Sequence, residues 1–209
     1  MIDIFAVMAA ERRALADDVE KLTDAQWVTP SALKGWQLRH VASHLVWPLE
    51  SGPLTLGAAF FKAGMSFSRT VDNAAEADRR SPREMAAALR AQADNKKVPP
   101  GIGAPGILMD LLVHSLDIRR PLGLQRVVDK EALVIALKRL AGARSLKFFR
   151  IPSGFTFVAT DVGWRNGQGP VVEGNSQDLL LALAGRKAGL AGLGGDGAPQ
   201  FRERFKEYG

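Results

Sequence analysis

Apolar positions follow helical spacing through most of the chain and strand spacing only towards its C-terminal end. Residues 2 to 22 predict a helix whose apolar face includes Phe5, Met8, Leu15, Val19 and Leu22, with charged residues opposite. Thr23-Asp-Ala-Gln26 fits a capping box and starts a short helix that ends near Thr29-Pro30. A second long helix is expected from about Gln37 to Trp47. Leu38, Val41, Ala42 and Leu45 form its core stripe, His40, His44 and Trp47 the adjacent one, and Pro48 and Pro53 interrupt the chain after it. Residues 54 to 71 predict a further helix packed through Phe60, Phe61, Met65 and Phe67. Ser81-Pro82-Arg83-Glu84 combines a Ser N-cap, Pro at the first position and Glu at the third, starting a helix to about Ala93. Residues 107 to 118 are apolar almost all the way round, as a helix buried inside a bundle should be, and Pro121 and Gly123 close them.

The pattern changes after about residue 125. Asp129 is placed to cap a helix over 130 to 142. Phe155 to Thr160 has a strand's composition, and Pro170 to Glu173 is expected to pair with it across the Gly-rich turn 163 to 169. Asn175-Ser176 caps a helix predicted over Leu179 to Leu190. The fold class is therefore α+β, mainly α: a four-helix bundle over 1–125 and a small α+β domain over 126–209.

Composition removes several kinds of chemistry. The 209 residues include no cysteine, which excludes disulfides, thiolate metal sites and a cysteine nucleophile; any thiol chemistry would use a thiol from outside. The formal charge of +6 permits anionic ligands, but the basic residues are scattered, and nucleic acid is not an expected partner. No apolar run approaches the roughly 20 residues of a membrane span. The N-terminus lacks a signal peptide's basic and apolar regions, so a cytoplasmic protein is expected. Two stretches, 101–106 and 192–197, match GxGxxG. Neither sits between a strand and a helix of a βαβ unit, and both are read as chance. There is no Gly-x-Ser-x-Gly elbow.

The polar residues on the apolar helix are more telling. Asp110, His114 and Asp117 stand at i, i+4, i+7, on one face, where a buried ionisable group needs a partner. The other two of the chain's three histidines, His40 and His44, are also i, i+4 on a predicted helix. If the two helices face each other, His44, Asp110 and His114 supply three ligands and leave open positions, the layout of a catalytic divalent site. Asp117 would then orient a ligand histidine, and His40 would be a fourth ligand or point outwards. The alternative is that both histidines are neutral core residues and Asp110 pairs with an arginine. Arg79-Arg80 is a second candidate feature, able to grip a carboxylate or to stand as solvated surface.

A family resemblance weighs between these readings. Leu22-Thr-Asp-Ala-Gln-Trp27, Thr29-Pro-Ser, Gly35-Trp36-Gln-Leu-Arg and Val41-Ala-Ser-His44-Leu resemble the start of the mycothiol-dependent maleylpyruvate isomerase family, within the DinB-like metalloenzyme superfamily. Asp110-Leu-Leu-Val-His114-Ser-Leu-Asp117 is similar to its second metal motif. Thr160-Asp161, Trp164, Gly167-Gln-Gly169-Pro, Gly174 and Asp178-Leu-Leu-Leu-Ala-Leu-Ala-Gly-Arg186 are similar to its C-terminal part. The resemblance implies a DinB-like bundle holding a divalent metal, usually zinc, on His44, Asp110 and His114. It also implies a small C-terminal α/β domain that helps close the site. The implied partners are a small thiol, mycothiol or one like it, and an electrophilic substrate. The thiolate would add to an electron-poor double bond, the bond would rotate, and elimination would release the trans product. Thiol S-transfer, or a non-catalytic metal-binding or regulatory module, are the alternatives. Arg79, Arg80 and Arg186 are candidates for thiol or carboxylate recognition. Two positions depart from the family pattern: Asp110 stands where Glu is common, and His40 where Asp is usual.

Overall fold

The structure, a computed structural model, describes residues 2–99, 101–142 and 152–206, apart from the side chains of Phe67 and Ser68. Its helices in chain order are α1 (Ile4–Glu20), α2 (Asp24–Trp27), α3 (Leu38–Glu50), α4 (Pro53–Lys62), α5 (Phe67–Ala77), α6 (Pro82–Ala91), α7 (Gly103–Arg119) and α8 (Lys130–Gly142). Strands β1 (Thr156–Ala159), β2 (Trp164–Gly167) and β3 (Val171–Gly174) follow, then α9 (Ser176–Leu183) and α10 (Ala198–Arg204). The bundle consists of α1, α3, α6 and α7, with α1 and α3 each packed on both α6 and α7. Local chemistry sets where its helices begin. Thr23 Oγ accepts the Gln26 N–H at 3.2 Å, and Glu84 accepts the Ser81 N–H at 2.8 Å.

Two hydrophobic clusters account for the all-round apolarity of α7. On one side Ile118 joins Leu15, Val19, Leu38, Val41, Val46, Met85 and Leu89 inside the bundle. On the other, Leu108, Leu111, Leu112 and Leu116 join α8, Phe157 of β1, Val172 of β3 and Leu179–Leu183 of α9. A helix shared by two cores has little solvent-facing surface, so most of the charges it carries need partners within the protein. Arg119, 1% exposed, donates to Asp18 at 2.7 Å and pairs with Glu11 on α1, while its Nη2 and the Ser115 hydroxyl are buried without a hydrogen-bond partner among the described residues.

Several expected elements differ from those observed. Pro48 does not stop α3, which runs on to Glu50; Lys97 Nζ holds its end, donating to the carbonyls of Pro48 at 2.7 Å and Ser51 at 2.6 Å. The helix expected over 54 to 71 is two helices. The chain turns between them through Gly64 (φ 64°) and Met65 (φ 56°), and Ser66 caps the second. Phe60, Phe61 and Met65 are exposed rather than packed, because α4 lies against α5 alone among its larger contacts; the Phe67 side chain lies outside the described residues.

The sheet also differs, with order β2-β1-β3. Residues 164–167, expected within a turn, form β2 and pair antiparallel with β1, while β3 pairs with β1 in parallel on the opposite side. To change sides the chain crosses the start of β1. A Cβ on Gly167 would come within 2.2 Å of the Phe155 carbonyl oxygen, and one on Gly169 within 2.3 Å of that of Gly154. Glycine at both positions makes the crossing possible. Finally, α9 ends at Leu183 rather than near 190. Gly185 (φ 81°) donates to Ala182, and the Arg186 N–H reaches back to Leu181 at 2.9 Å, a glycine-terminated helix end.

These placements separate two apolar substitutions in urea unfolding. Leu89→Ala, in the bundle core, should cost about 2–5 kcal/mol. Phe61→Ala, on a side chain 77% exposed, should change stability by less than about 0.5 kcal/mol. A large loss at Phe61 would place α4 against a surface the fold does not provide.

Candidate metal centre

Packing of α3 on α7 brings His44 opposite Asp110 and His114. His44 Nε2 lies 3.3 Å from Asp110 Oδ2, and His114 Nε2 lies 3.5 Å from Asp110 Oδ1, so both imidazoles address one carboxylate. One donor atom from each residue lies within 4.8 Å of the others. The two rings meet edge to face at 4.5 Å, and Trp36 packs edge-on to His44 at 5.7 Å. The Asp110 side chain is 42% exposed against 15% for His44 and 10% for His114, so the cluster opens on the Asp110 side.

His44 and Asp110 are within long hydrogen-bond distance, and the same separations suit donors arranged round one ion. Charge-assisted N–H···O bonds are about 2.7–2.9 Å long, and the 3.3 and 3.5 Å separations exceed that. Ligands bound at about 2.0–2.1 Å in tetrahedral geometry stand roughly 3.4 Å apart, and the two histidine–carboxylate separations, each to a different oxygen of Asp110, lie near that value. Two imidazole nitrogens and a carboxylate are a donor set suited to zinc and to other divalent transition metals.

His114 is held from behind. Its Nδ1 lies 2.9 Å from Asp117 Oδ2, an ordinary hydrogen bond in which Nδ1–H donates and Nε2 is turned towards Asp110. Asp117 is fully buried and takes a fork from Arg186, whose Nε lies 3.1 Å from Oδ1 and whose Nη2 lies 3.0 Å from Oδ2. Burial disfavours the Asp117 carboxylate, but Arg186 and His114 outweigh it and hold its pKa below the ordinary value. Burial likewise pulls the His114 pKa down, yet Asp110 and Asp117 raise it to about 9. The surroundings of Asp110 desolvate it, and His114 and His44 more than compensate, holding its pKa far below the usual carboxylate range.

The other predicted residues lie elsewhere. His40 is outside the three-residue cluster: its Nδ1 accepts the Gln37 N–H at 3.2 Å at the start of α3, so the neutral ring carries its proton on Nε2. Burial, then Arg39, lowers its pKa, which keeps it in that neutral form. Arg80 pairs with Asp78 at 2.6 Å and Glu50 at 3.1 Å; Arg79 is exposed and donates to the Glu76 and Asp78 carbonyls. One residue that sequence reasoning passed over is Asp72 on α5. Its pKa is raised by burial and then by Glu76, while His44 pulls it the other way. The signal available was the Asp72/Glu76 pair at i, i+4, matching His40/His44.

Comparison with known proteins bears on this geometry. Residues 8–98 match the family profile described as "Mycothiol maleylpyruvate isomerase N-terminal domain". This stretch belongs to that family. It contains His40, His44, Arg79 and Arg80, whereas Asp110, His114, Asp117 and Arg186 lie beyond it. The chain is also similar to crystal structures of the mycothiol-dependent maleylpyruvate isomerase and of a His→Ala variant of it. The TM-score is 0.50 for both, with 15% and 14% identity over 95% of this chain and 97% of those chains. At that identity the likeness concerns the fold, a helical bundle followed by a small α/β region. No curated protein matches the chain by sequence.

The pKa of His114 sets a pH dependence for protein stripped of metal by a chelator. A folded-state pKa of about 9 against the ordinary 6.5 means that the charged ring stabilises the fold fully below pH 6.5. That contribution is lost as pH rises through about 9. Thermal unfolding of the stripped protein should therefore shift to lower temperature across this window, and His114→Ala should flatten the dependence. A midpoint that rises with pH across the window would contradict the arrangement.

Proposed function

We propose that the chain is an enzyme that holds a divalent metal, zinc, on His44, Asp110 and His114. It would activate a low-molecular-weight thiol, mycothiol or one like it, for cis–trans isomerisation of a maleylpyruvate-like substrate. The observation that carries the reading is the convergence of two imidazole nitrogens and one carboxylate, with one donor atom from each within 4.8 Å of the others. The family match over 8–98 and the similarity in fold support the choice of reaction, and the absence of cysteine requires the thiol to come from outside.

Bound there, a divalent cation lowers the pKa of a thiol from about 8.5, so that thiolate capable of reversible addition to a double bond exists at neutral pH. The chain's own residues define the rest. His44 and His114 each direct Nε2 to the site, and Asp110 contributes a negative charge on its open side. Asp117 keeps the His114 proton on Nδ1, away from the site. Trp36 packs edge-on against the His44 ring at 5.7 Å. In this reading the bundle, residues 1–125, supplies the ligands. The domain over 126–209 supplies Arg186, and the compartment is the cytoplasm; no helix among the described residues is long and apolar enough to cross a membrane.

Elemental analysis of protein purified without a metal-affinity tag, beside His44→Ala and His114→Ala, tests the site. About one divalent ion per chain is expected in the wild type, with less than roughly a tenth of that in either variant. Isomerisation should require added thiol and fall at least about 100-fold in both variants. Unchanged metal content in the variants would refute the ligand assignment. Thiol conjugation without isomerisation would make the protein an S-transferase instead.

A further inference from the structure

Asp117 and Arg186 form a buried pair behind His114, and the pair reaches out of the bundle. Asp117 lies on α7, three residues beyond His114; Arg186 lies just past the end of α9. Both are buried, at 0% and 6% exposure. The guanidinium meets Asp117 with Nε and Nη2, while Nη1 donates to the Ala184 carbonyl. Its backbone is fixed by the turn at Gly185, where the Arg186 N–H closes on Leu181. The carboxylate is thus gripped through both oxygens, which fixes its plane and the direction from which Oδ2 accepts the His114 Nδ1–H. A second ion pair of the opposite sense, Arg120 Nη2 to Asp178 Oδ1 at 2.5 Å, ties the residues after α7 to the first turn of α9. The two pairs bracket α9 and seat it against α7.

We infer that Arg186 is a positioning residue for His114, acting through Asp117, so that the seating of α9 sets how tightly the cluster holds a metal ion. The inference rests on the metal-binding reading above. A histidine ligand whose far nitrogen is held by a well-oriented carboxylate keeps its ring direction and its basicity; loss of such a partner typically weakens metal binding by about 10–100-fold. Arg186 faces Asp117 and Ala184, so its role here is to orient that carboxylate.

The test is Zn²⁺ affinity of the full chain, measured by competition with a chromogenic chelator, together with the absorption spectrum of the Co²⁺-loaded protein. Arg186→Gln should weaken Zn²⁺ binding by about 10–100-fold and alter the Co²⁺ bands. Arg186→Lys, which keeps the charge but loses the planar fork, should fall between it and the wild type, losing at least about 3-fold. In an Asp117→Asn background, Arg186→Gln should cost no more than about 3-fold, because the route through the carboxylate is already broken. A merely structural arginine would lower stability without this dependence on Asp117. If the Gln variant does not fold, the Lys variant decides by the same readout. Affinity within about 2-fold of wild type in the Arg186 variants, or an equal loss in both backgrounds, would overturn the inference alone. A wild type that takes up no Zn²⁺, or whose uptake survives His114→Ala, would overturn it together with the metal reading.

Discussion

The structure depends on the burial of α7. A helix clothed by the bundle core on one side and by α8, α9 and the sheet on the other has little water to offer its polar residues. An unpaired charge there would cost several kcal/mol, comparable with much of a domain's stability. The fold meets this by bringing a partner to each: Glu11 and Asp18 to Arg119, Arg186 to Asp117, His44 to Asp110. Only Asp110 keeps substantial exposure, which places the candidate centre at the one point where α7 meets solvent along its polar stripe.

Charge alternates along that stripe. Arg186 faces Asp117, Asp117 faces His114, His114 faces Asp110, and Asp110 faces His44. Without a metal, a proton on His114 completes the alternation, and the pKa of about 9 expresses how strongly the two carboxylates favour it. A divalent cation among the three donors would take over that role and expel the proton, so metal and proton compete for the same position. The anchoring on the far side of His114 is unaffected by the exchange, since it uses Nδ1.

Much of this was legible before the fold was known, for physical reasons. An otherwise apolar helix with three ionisable residues on one face announces a buried polar stripe, and of the two histidines at i, i+4 on another helix His44 supplies the complement while His40 stays outside the cluster. The helix starts at Thr23, Ser81 and Asn175 were readable because caps are local chemistry. What escaped was tertiary. β2 has three exposed residues out of four and no alternation, so nothing in its sequence marks a strand. The exposure of Phe60 and Phe61 follows from what α4 lacks as a neighbour, which no local pattern encodes. Arg186 offered a guanidinium; that its partner is Asp117, 69 residues away, depended on the turn at Gly185 and on how α9 docks.

The central claim is that α3 and α7 are held in register to present three donors to one ion. Anomalous diffraction on either side of the zinc absorption edge, from crystals of the chain grown with Zn²⁺, examines this most directly. The account predicts a single strong peak about 2.0–2.2 Å from Nε2 of His44, Nε2 of His114 and a carboxylate oxygen of Asp110. No peak at this position, with the histidines instead hydrogen-bonded to Asp110 at ordinary distances, would contradict it.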